Sequence, residues 1–353
     1  MSLYTNELYL EDIEKIAGTD LPWSKLKDSS VLLSGATGLL GSFLVDVLMQ
    51  KNLGGLNCTI YALGRTQKKA EERFSKWWGD KHLVFFPYDV NKPFVREDVA
   101  TVNYVLHLAS NTHPMQYATD PIGTITTNII GLQNMLDFAV EHHATRFAFT
   151  SSNEIYGENR GDTDLFDESY CGYIDSNTLR AGYPESKRCG EALCQAYKTQ
   201  KGLDTVIPRF TRSYGPTMQL SDTKAISQFI RKGIAGEDIV LKSAGTQNYS
   251  YTYMADAIYG LLTVVLRGES GEAYNIADEA SNITLKDLAW IIADHAGKQV
   301  VFEIPDVVEA AGYSKATKAL LDGSKLKRLG WRPFYTIQDG IPRTMDILRE
   351  NDR

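Results

Sequence analysis

The chain has 353 residues, 43% of them hydrophobic and 23% charged, with a formal net charge of −7. That profile fits a globular protein built as one large domain or two fused subdomains. The acidic balance argues against general binding to nucleic acid or an anionic membrane surface, so a phosphate-bearing ligand has to be held by local positive charge.

Residues 1–30 form a lead-in, in which Leu10 to Ala17 read as a short helix stopped by Gly18 and Trp23 tucks against the body. Val31 to Leu33 then read as a buried strand, and apolar residues from Leu39 to Leu48 recur at helical spacing. Between them Gly35, Gly38 and Gly41 stand three residues apart. A Cβ there would block both the sharp turn and the close approach of a phosphate. The following helix points its free N–H groups and positive dipole end at that phosphate. Strand, glycine turn and helix make a dinucleotide-binding unit, with Gly35, Thr37, Gly38, Leu39, Leu40 and Gly41 as its expected contacts. A glycine turn without a ligand is the alternative.

Cys58 to Leu63 read as the second strand, followed by Gly64-Arg65-Thr66. At this place an acid binds the ribose 2′-hydroxyl of NAD, whereas an arginine faces the 2′-phosphate of NADP. The acid is missing and Arg65 is present, which favours NADP; the other role for Arg65 is to stack on adenine or face solvent. Leu83 to Phe86 form a third strand leading to Asp89 and Val90. Asp89 either accepts a bond from the adenine amino group or serves a turn. Val102 to Leu108 form the fourth strand, which runs into Leu108, Ala109, Ser110 and Asn111. Gly123 to Glu141 follow a helical pattern, and Arg146 to Thr150 form the fifth strand. Strands alternating with helices at this spacing predict an α/β fold, a Rossmann-type doubly wound parallel sheet.

From about Thr205 the rhythm changes. Thr205 to Phe210 form a strand, and Ile226, Phe229, Ile230 and Ile234 mark an amphipathic helix. Tyr249, Tyr251 and Tyr253 alternate as on one face of a strand, a stripe read as packing, with Asp256 expected to cap the next helix. Thr284 to Asp287 resemble a capping box, followed by Leu285, Leu288, Ala289 and Ile292 on one face. The expected division is residues 1–30 as an extension, 31–208 as the dinucleotide-binding part, and 209–353 mainly as a smaller substrate lobe with segments returning to the sheet. No stretch approaches the roughly 18 apolar residues of a spanning helix. The N-terminus carries no apolar run of a signal peptide. Cys58, Cys171, Cys189 and Cys194 have no metal spacing and read as reduced thiols of a cytoplasmic protein.

Tyr183-Pro-Glu-Ser-Lys187 opens a predicted helix, and four residues' spacing puts Tyr183 and Lys187 on one face. An ammonium beside a phenol lowers the phenol's pKa; the same lysine reaches a nicotinamide ribose. Ser152 and Glu154 follow the fifth strand, where such a sheet presents catalytic groups. Ser152 offers a hydroxyl to a substrate oxygen beside Tyr183, and Glu154 a carboxylate for proton transfer. A polar turn and a helix-capping glutamate are the plainer readings. His107 and His113 are possible bases without a nearby carboxylate, and His107 reads as structural. His142 and His143 fall at a helix C-terminus, where positive charge is welcome. No histidine–carboxylate cluster has metal spacing.

Together, Gly35-Gly38-Gly41, His107-Leu-Ala-Ser110, Asp120-Pro-Ile-Gly-Thr with Thr127-Asn128, Ser152 to Gly157, and Tyr183 with Lys187 resemble the extended short-chain dehydrogenase/reductase family of nucleotide-sugar epimerases, dehydratases and decarboxylases. The resemblance covers nearly the whole chain after residue 30. Asn134-Met-Leu136, Arg180-Ala-Gly-Tyr183, Ser186-Lys-Arg188 and Arg209 to Pro216 are most similar to the UDP-glucuronate decarboxylases. The resemblance implies a nucleotide-sugar substrate, a bound NAD, and a homodimer formed through the helices containing Gly131 to Glu141 and Lys187 to Lys198. It implies transient oxidation at sugar C4, with Tyr183, ionised with help from Lys187, taking the proton, Ser152 polarising the oxygen and Glu154 acting beside them. Substrate contacts are expected from Asn111, Asn153, Arg180, Arg212 and Tyr249.

Four positions depart from the pattern. Asn153 replaces the decarboxylases' serine and the dehydratases' aspartate. Tyr249 stands where the family has an arginine, Arg212 where it has an asparagine, and Ala319-Leu-Leu-Asp322 where it has Arg-x-Pro-Asp. Arg212 is placed to supply the missing charge to a diphosphate; the alternative is a different activated sugar. The other readings are an NADPH-dependent reductase or 4-epimerase/dehydratase of an activated sugar, and a non-catalytic NADP-binding sensor.

Overall fold

The central strand β1 (Ser30–Ser34) is buried at all five residues, as a strand paired on both edges and covered on both faces must be. The computed structural model describes residues 3–96, 99, 101–112, 114–219, 222–303 and 317–351. Around β1 the first part of the chain runs α1 (Glu7–Ala17), α2 (Leu39–Leu53), β2 (Thr59–Gly64), α3 (Gln67–Arg73), β3 (Leu83–Pro87), β4 (Tyr104–His107), α4 (Pro114–Thr119), α5 (Pro121–Glu141), β5 (Arg146–Phe149), β6 (Ser151–Ser152), α6 (Gly182–Lys201) and β7 (Thr205–Phe210). The later part holds β8 (Arg212–Tyr214), α7 (Ala225–Ile234), β9 (Ile239–Leu241), β10 (Asn248–Tyr253), α8 (Met254–Arg267), β11 (Ala273–Ile276), β12 (Asn282–Thr284), α9 (Leu285–Ala296), β13 (Val300–Phe302), β14 (Lys318–Ala319), α10 (Ser324–Arg328) and α11 (Ile337–Asn351).

The large sheet has the order β3-β2-β1-β4-β5-β7-β11, with β6 also on β7, and every pairing is parallel. The chain builds outward from β1 to β3, then returns to β4 on the other side. That reversal leaves a crevice at the carboxyl ends of β1 and β4, the place where doubly wound sheets take ligands. α2 is buried from Gly41 to Met49, because α1 and α8 pack against it. α5 and α6 pack against each other.

Two smaller sheets form a lobe over the crevice. β12, β10 and β14 lie side by side with β8 also on β10, and β9 pairs with β13. The later segment is not confined to that lobe, since β11 completes the large sheet. Tyr249, Tyr251 and Tyr253 are all buried, because β10 is covered on both faces.

The lead-in is more tightly bound than its sequence suggests. α1 starts at Glu7, capped by Asn6, whose side chain accepts from Tyr9 N, and ends at Gly18. Its Ile13 and Ile16 are fully buried, worth roughly 1.5–3 kcal/mol each. Asp46, buried within α2, receives the hydroxyls of Tyr4 and Tyr9, the Arg73 guanidinium and Trp77 Nε1. Asp12 on α1 receives the hydroxyls of Tyr253 and Tyr335 and Arg343 Nε. Trp23 donates to the Thr19 carbonyl at 2.9 Å.

One expectation is corrected. Asp256 does not cap α8; the cap residue is Tyr253. Asp256 is fully buried and accepts the backbone N–H groups of Phe334 and Tyr335, and burial pushes its carboxyl up to about 7. Thr284 does cap α9, accepting Asp287 N at 3.1 Å. Leu288, Ala289 and Ile292 are the buried face.

Candidate active site

β5 ends at Phe149 and delivers Thr150, Ser151, Ser152, Asn153 and Glu154 to the crevice. Ser152 Oγ accepts Glu154 N at 3.2 Å, which opens a short 3-10 turn from Asn153 to Tyr156 and fixes where the Glu154 carboxylate starts. Across from it, a 3-10 turn at Leu179–Ala181 runs into α6, whose first two turns carry Tyr183 and Lys187. A polar chain locks that helix to β4's exit: Ser110 Oγ donates to Asn128 Oδ1 at 2.8 Å, Asn128 Nδ2 to Ser186 Oγ at 2.9 Å, and Ser186 Oγ to the Tyr183 carbonyl at 2.8 Å.

These groups open into one cleft of about 1200 Å³. Its walls include Gly35, Gly38, Leu39, Leu40 and Gly41 from the glycine turn, Leu108 and Ser110 from β4's exit, Ser152, Asn153 and Glu154, Arg180, Tyr183 and Lys187, and Arg212 and Tyr249 from the lobe. Thr37, Arg65, Asp89, Val90, Ala109 and Asn111 are not on those walls. Asp89 makes a turn, accepting Asn91 N at 3.1 Å. The Val90 carbonyl accepts Asn134 Nδ2, Ala109 N donates to Ser34 Oγ, and Asn111 Nδ2 lies 3.5 Å from Asp120 Oδ2. Arg65 is exposed at the end of β2. His113 lies outside the described residues.

The glycine turn has the shape a dinucleotide needs. Gly35 has φ +72°, and a Cβ there would meet Ala109 N at 2.8 Å; one at Gly41 would meet the Gly35 carbonyl at 2.3 Å. Gly38 precedes α2 and no side chain caps that helix, so its first N–H groups are left to a ligand.

Burial dominates the titration of Tyr183 and Lys187. Burial, then the Glu154 charge, push the Tyr183 phenol above its ordinary value; the hydroxyls of Ser152 and Ser110 and the charge of Arg180 oppose this. Burial pulls Lys187 down to about 7. Its Nζ donates to the Thr150 carbonyl at 2.8 Å and lies 5.9 Å from the Tyr183 ring centroid. Burial thus shifts both groups towards their neutral forms in the protein alone. His107 is likewise buried and lowered to about 3; it bonds Ser34 Oγ at 2.8 Å.

Two features had no signal in the chain order. Arg180 grips both oxygens of Glu154, with Nη1 and Nη2 each at 2.9 Å. Its guanidinium sits 4.9 Å over the Tyr117 ring, which in turn stacks on Tyr183 at 4.8 Å. Tyr117 stands on the one-turn α4, too short for any periodic signature. Second, Arg212 lies 3.5 Å over the Tyr249 ring, and its Nη1 is buried without a hydrogen-bond partner among the described residues. β8 and β10 bring them together, in register Arg212 to Tyr251. Lys224, Lys232 and Lys242 line the same cleft. Among the described residues no group of three His, Cys, Asp or Glu side chains could hold a metal. None of the four cysteines forms a disulfide, and no described helix is long and apolar enough to cross a membrane.

Comparison with known proteins gives one answer at three levels. Residues 31–277 match the model of the NAD-dependent epimerase/dehydratase family. UDP-glucuronic acid decarboxylase 3 of Arabidopsis thaliana is 31% identical over 320 residues, covering 90% of this chain and 89% of that one. UDP-glucuronic acid decarboxylase 1 of Xenopus tropicalis is 29% identical, covering 91% and 72%. Among solved structures, the dTDP-glucose 4,6-dehydratase of Streptomyces venezuelae, solved with NAD, superposes with a TM-score of 0.77 at 25% identity, covering 91% and 97%. The UDP-glucuronic acid 4-epimerase of Bacillus cereus, solved with UDP-glucuronic acid and NAD, superposes with 0.78 at 20% identity, covering 91% and 99%.

Proposed function

The chain belongs to the NAD-dependent epimerase/dehydratase family, and from that premise we propose that it decarboxylates a nucleotide-linked hexuronate such as UDP-glucuronate after transient oxidation at sugar C4. It is an enzyme of this class. The observation that carries the reading is the meeting of Ser152, Glu154, Tyr183 and Lys187 with the glycine turn in one cleft.

A nicotinamide dinucleotide, when bound, supplies the hydride acceptor for C4 and returns that hydride later. Gly35, Gly38 and the first turn of α2 are suited to its diphosphate, and Lys187 to its ribose. Tyr183, as the phenolate that a charged Lys187 beside it favours, takes the proton of the C4 hydroxyl while Ser152 donates to the same oxygen. C4 is then a ketone β to the C5 carboxylate, so the C5–carboxyl bond breaks with its electron pair flowing to the C4 oxygen. Carbon dioxide leaves, and the oxygen that takes up charge lies against Tyr183 and Ser152. Protonation at C5 restores the ketone before it is reduced again, with Glu154 at hand to carry the proton. Arg212, with an N–H to spare on Tyr249, is placed for a phosphoryl group. Asn111 and Asn153 complete the expected substrate contacts.

Within this reading residues 31–208 hold the cofactor and 209–353 mainly the substrate. The protein works in the cytoplasm as a homodimer through α5 and α6; Ile122 and Ile130 on α5 are exposed. Arg65, with no acid at the end of β2, points to a 2′-phosphorylated cofactor. This same residue favours a second reading, net NADPH-dependent reduction of a nucleotide-linked keto sugar, with Asp89 and Val90 at the adenine side in either case. The deciding experiment is to incubate the purified protein with UDP-glucuronate and follow carbon dioxide and UDP-xylose by mass spectrometry. Their appearance without net change in the dinucleotide supports decarboxylation. Consumption of NADPH with a nucleotide-linked keto sugar, and no carbon dioxide, replaces it by the reductase.

A further inference from the structure

Glu154 and Arg180 face each other at the reacting end of the cleft, and the pairing bears on how substrate is selected. Both carboxylate oxygens of Glu154 are taken up by the guanidinium. A carboxylate held by a two-pronged cation has its lone pairs occupied and is a poor proton carrier. The pair is nonetheless open to the cleft: the Arg180 side chain is 50% exposed and that of Glu154 24%. Ion pairs with this much solvent around them are weak enough to be exchanged for an equivalent partner. The Arg180 guanidinium itself rests on Tyr117, 4.9 Å from the ring centroid. Tyr117 is 7% exposed and stacked on Tyr183 at 4.8 Å, so the cation is tied to the group that handles the C4 proton.

We propose that Arg180 is a specificity-determining residue that selects a sugar carboxylate: the carboxylate of the substrate displaces Glu154 from the guanidinium, and the freed Glu154 then serves the reaction. This rests on the nucleotide-sugar reading above. The geometry favours a carboxylate on the sugar over the diphosphate as the displacing anion, because Arg180 is coupled through Tyr117 to the catalytic phenol. Arg212 and Lys224, Lys232 and Lys242 provide the other cations of the cleft. A neutral sugar has nothing to offer Arg180, so Glu154 stays occupied when one binds. Substrate recognition and the arming of the carboxylate are then one event.

The proposal makes an unusual demand: removing a catalytic carboxylate must tighten substrate binding. Dissociation constants are measured by calorimetry for UDP-glucuronate and UDP-glucose, which differ in carboxylate against hydroxymethyl. The protein is loaded with reduced dinucleotide so that C4 is not oxidised. Glu154→Gln leaves Arg180 without its internal competitor, and UDP-glucuronate is expected to bind about five- to tenfold tighter while UDP-glucose changes less than about twofold. Arg180→Gln weakens UDP-glucuronate about tenfold or more, and in that background Glu154→Gln no longer tightens it. Arg180→Lys, which keeps the charge and loses the two-pronged grip, gives an intermediate loss and covers the case in which Arg180→Gln does not fold. Equal tightening of both ligands, or tightening that persists without Arg180, means a general field effect and overturns the proposal, as does no tightening at all. Failure of the wild type to bind either nucleotide sugar removes the underlying reading and this inference with it.

Discussion

Lys187 Nζ donates to the carbonyl of Thr150 at 2.8 Å and lies 5.9 Å from the centre of the Tyr183 ring. The lysine is buried to 2% exposure and its pKa falls to about 7. In the unfolded chain it binds a proton up to about 10.4. Between these values the unfolded state carries more protons, so stability rises with pH over that window and is lower below it. Lys187→Met removes the buried amine, and we expect it to stabilise the ligand-free protein by on the order of 1–3 kcal/mol at pH 7 while abolishing turnover. Thermal unfolding across a pH series checks this. The gap between variant and wild type should close as pH climbs towards about 10 and stay constant below about 7; a gap that widens with pH contradicts it.

Arg65 makes no hydrogen bond or ion pair among the described residues, and burial together with the Arg65 charge presses down the pKa of Lys69 one turn further on. Two cations side by side without an acid suit a phosphate better than a ribose hydroxyl. NADP is expected to bind at least about tenfold tighter than NAD, and Arg65→Ser to remove most of that difference by weakening NADP alone. Calorimetric titration with each dinucleotide reads it directly. Tighter binding of NAD by the wild type would return Arg65 to a solvent role.

Asp46 is fully buried and satisfies four donors, Arg73 among them. Asp46→Asn leaves that guanidinium without its counter-charge, and loss of one partner of a buried pair costs about 3–5 kcal/mol. The urea midpoint should drop accordingly, with the pocket residues untouched by sequence. A change under about 1 kcal/mol would mean that the network is replaceable by water.

Gly41 and Gly38 lie on the same turn and differ in the space around them. A Cβ at Gly41 would come within 2.3 Å of the Gly35 carbonyl, whereas at Gly38 the same atom is 3.2 Å away. Gly41→Ala is expected to cost about 1–3 kcal/mol and to weaken dinucleotide binding, because the backbone of the turn has to move. Gly38→Ala should stay within about 1 kcal/mol of wild type in urea unfolding. Equal losses in the two variants would show that the turn is already flexible.

The parts of this protein legible in the sequence are those whose chemistry sits in one local stretch. Gly35, Gly38 and Gly41 announce the crevice because a turn between strand and helix is a matter of a few residues. Tyr183 and Lys187 share a face because one helix carries both. The pairing of Arg180 with Glu154 was not legible, since it spans two elements whose approach is set by packing of α6 on the sheet. The stacking of Arg212 on Tyr249 depends on the register of β8 on β10, which neither strand encodes alone. Asp256 misled for the same reason: acidity near a helix start reads as a cap, yet its partners arrive 78 and 79 residues later. The burial that raises Tyr183 and lowers Lys187 is likewise a quantity that a motif does not carry.

The first helix holds the final consequence. α1 is gripped through Asp12 by Tyr253, Tyr335 and Arg343, and Asn6 Nδ2 reaches Glu350. Part of the grip on this helix thus comes from residues 241 to 344 positions further on, beside its packing on α2 and α8. At ordinary synthesis rates of about 5–20 residues per second, those distant contacts wait on the order of tens of seconds. Through that interval α1 has α2 to pack on but not α8 or α11, and contacts so distant in sequence are slow to form. A chain truncated before Tyr335 should therefore hold α1 less firmly, and be cut there by protease faster, than the chain that includes Arg343.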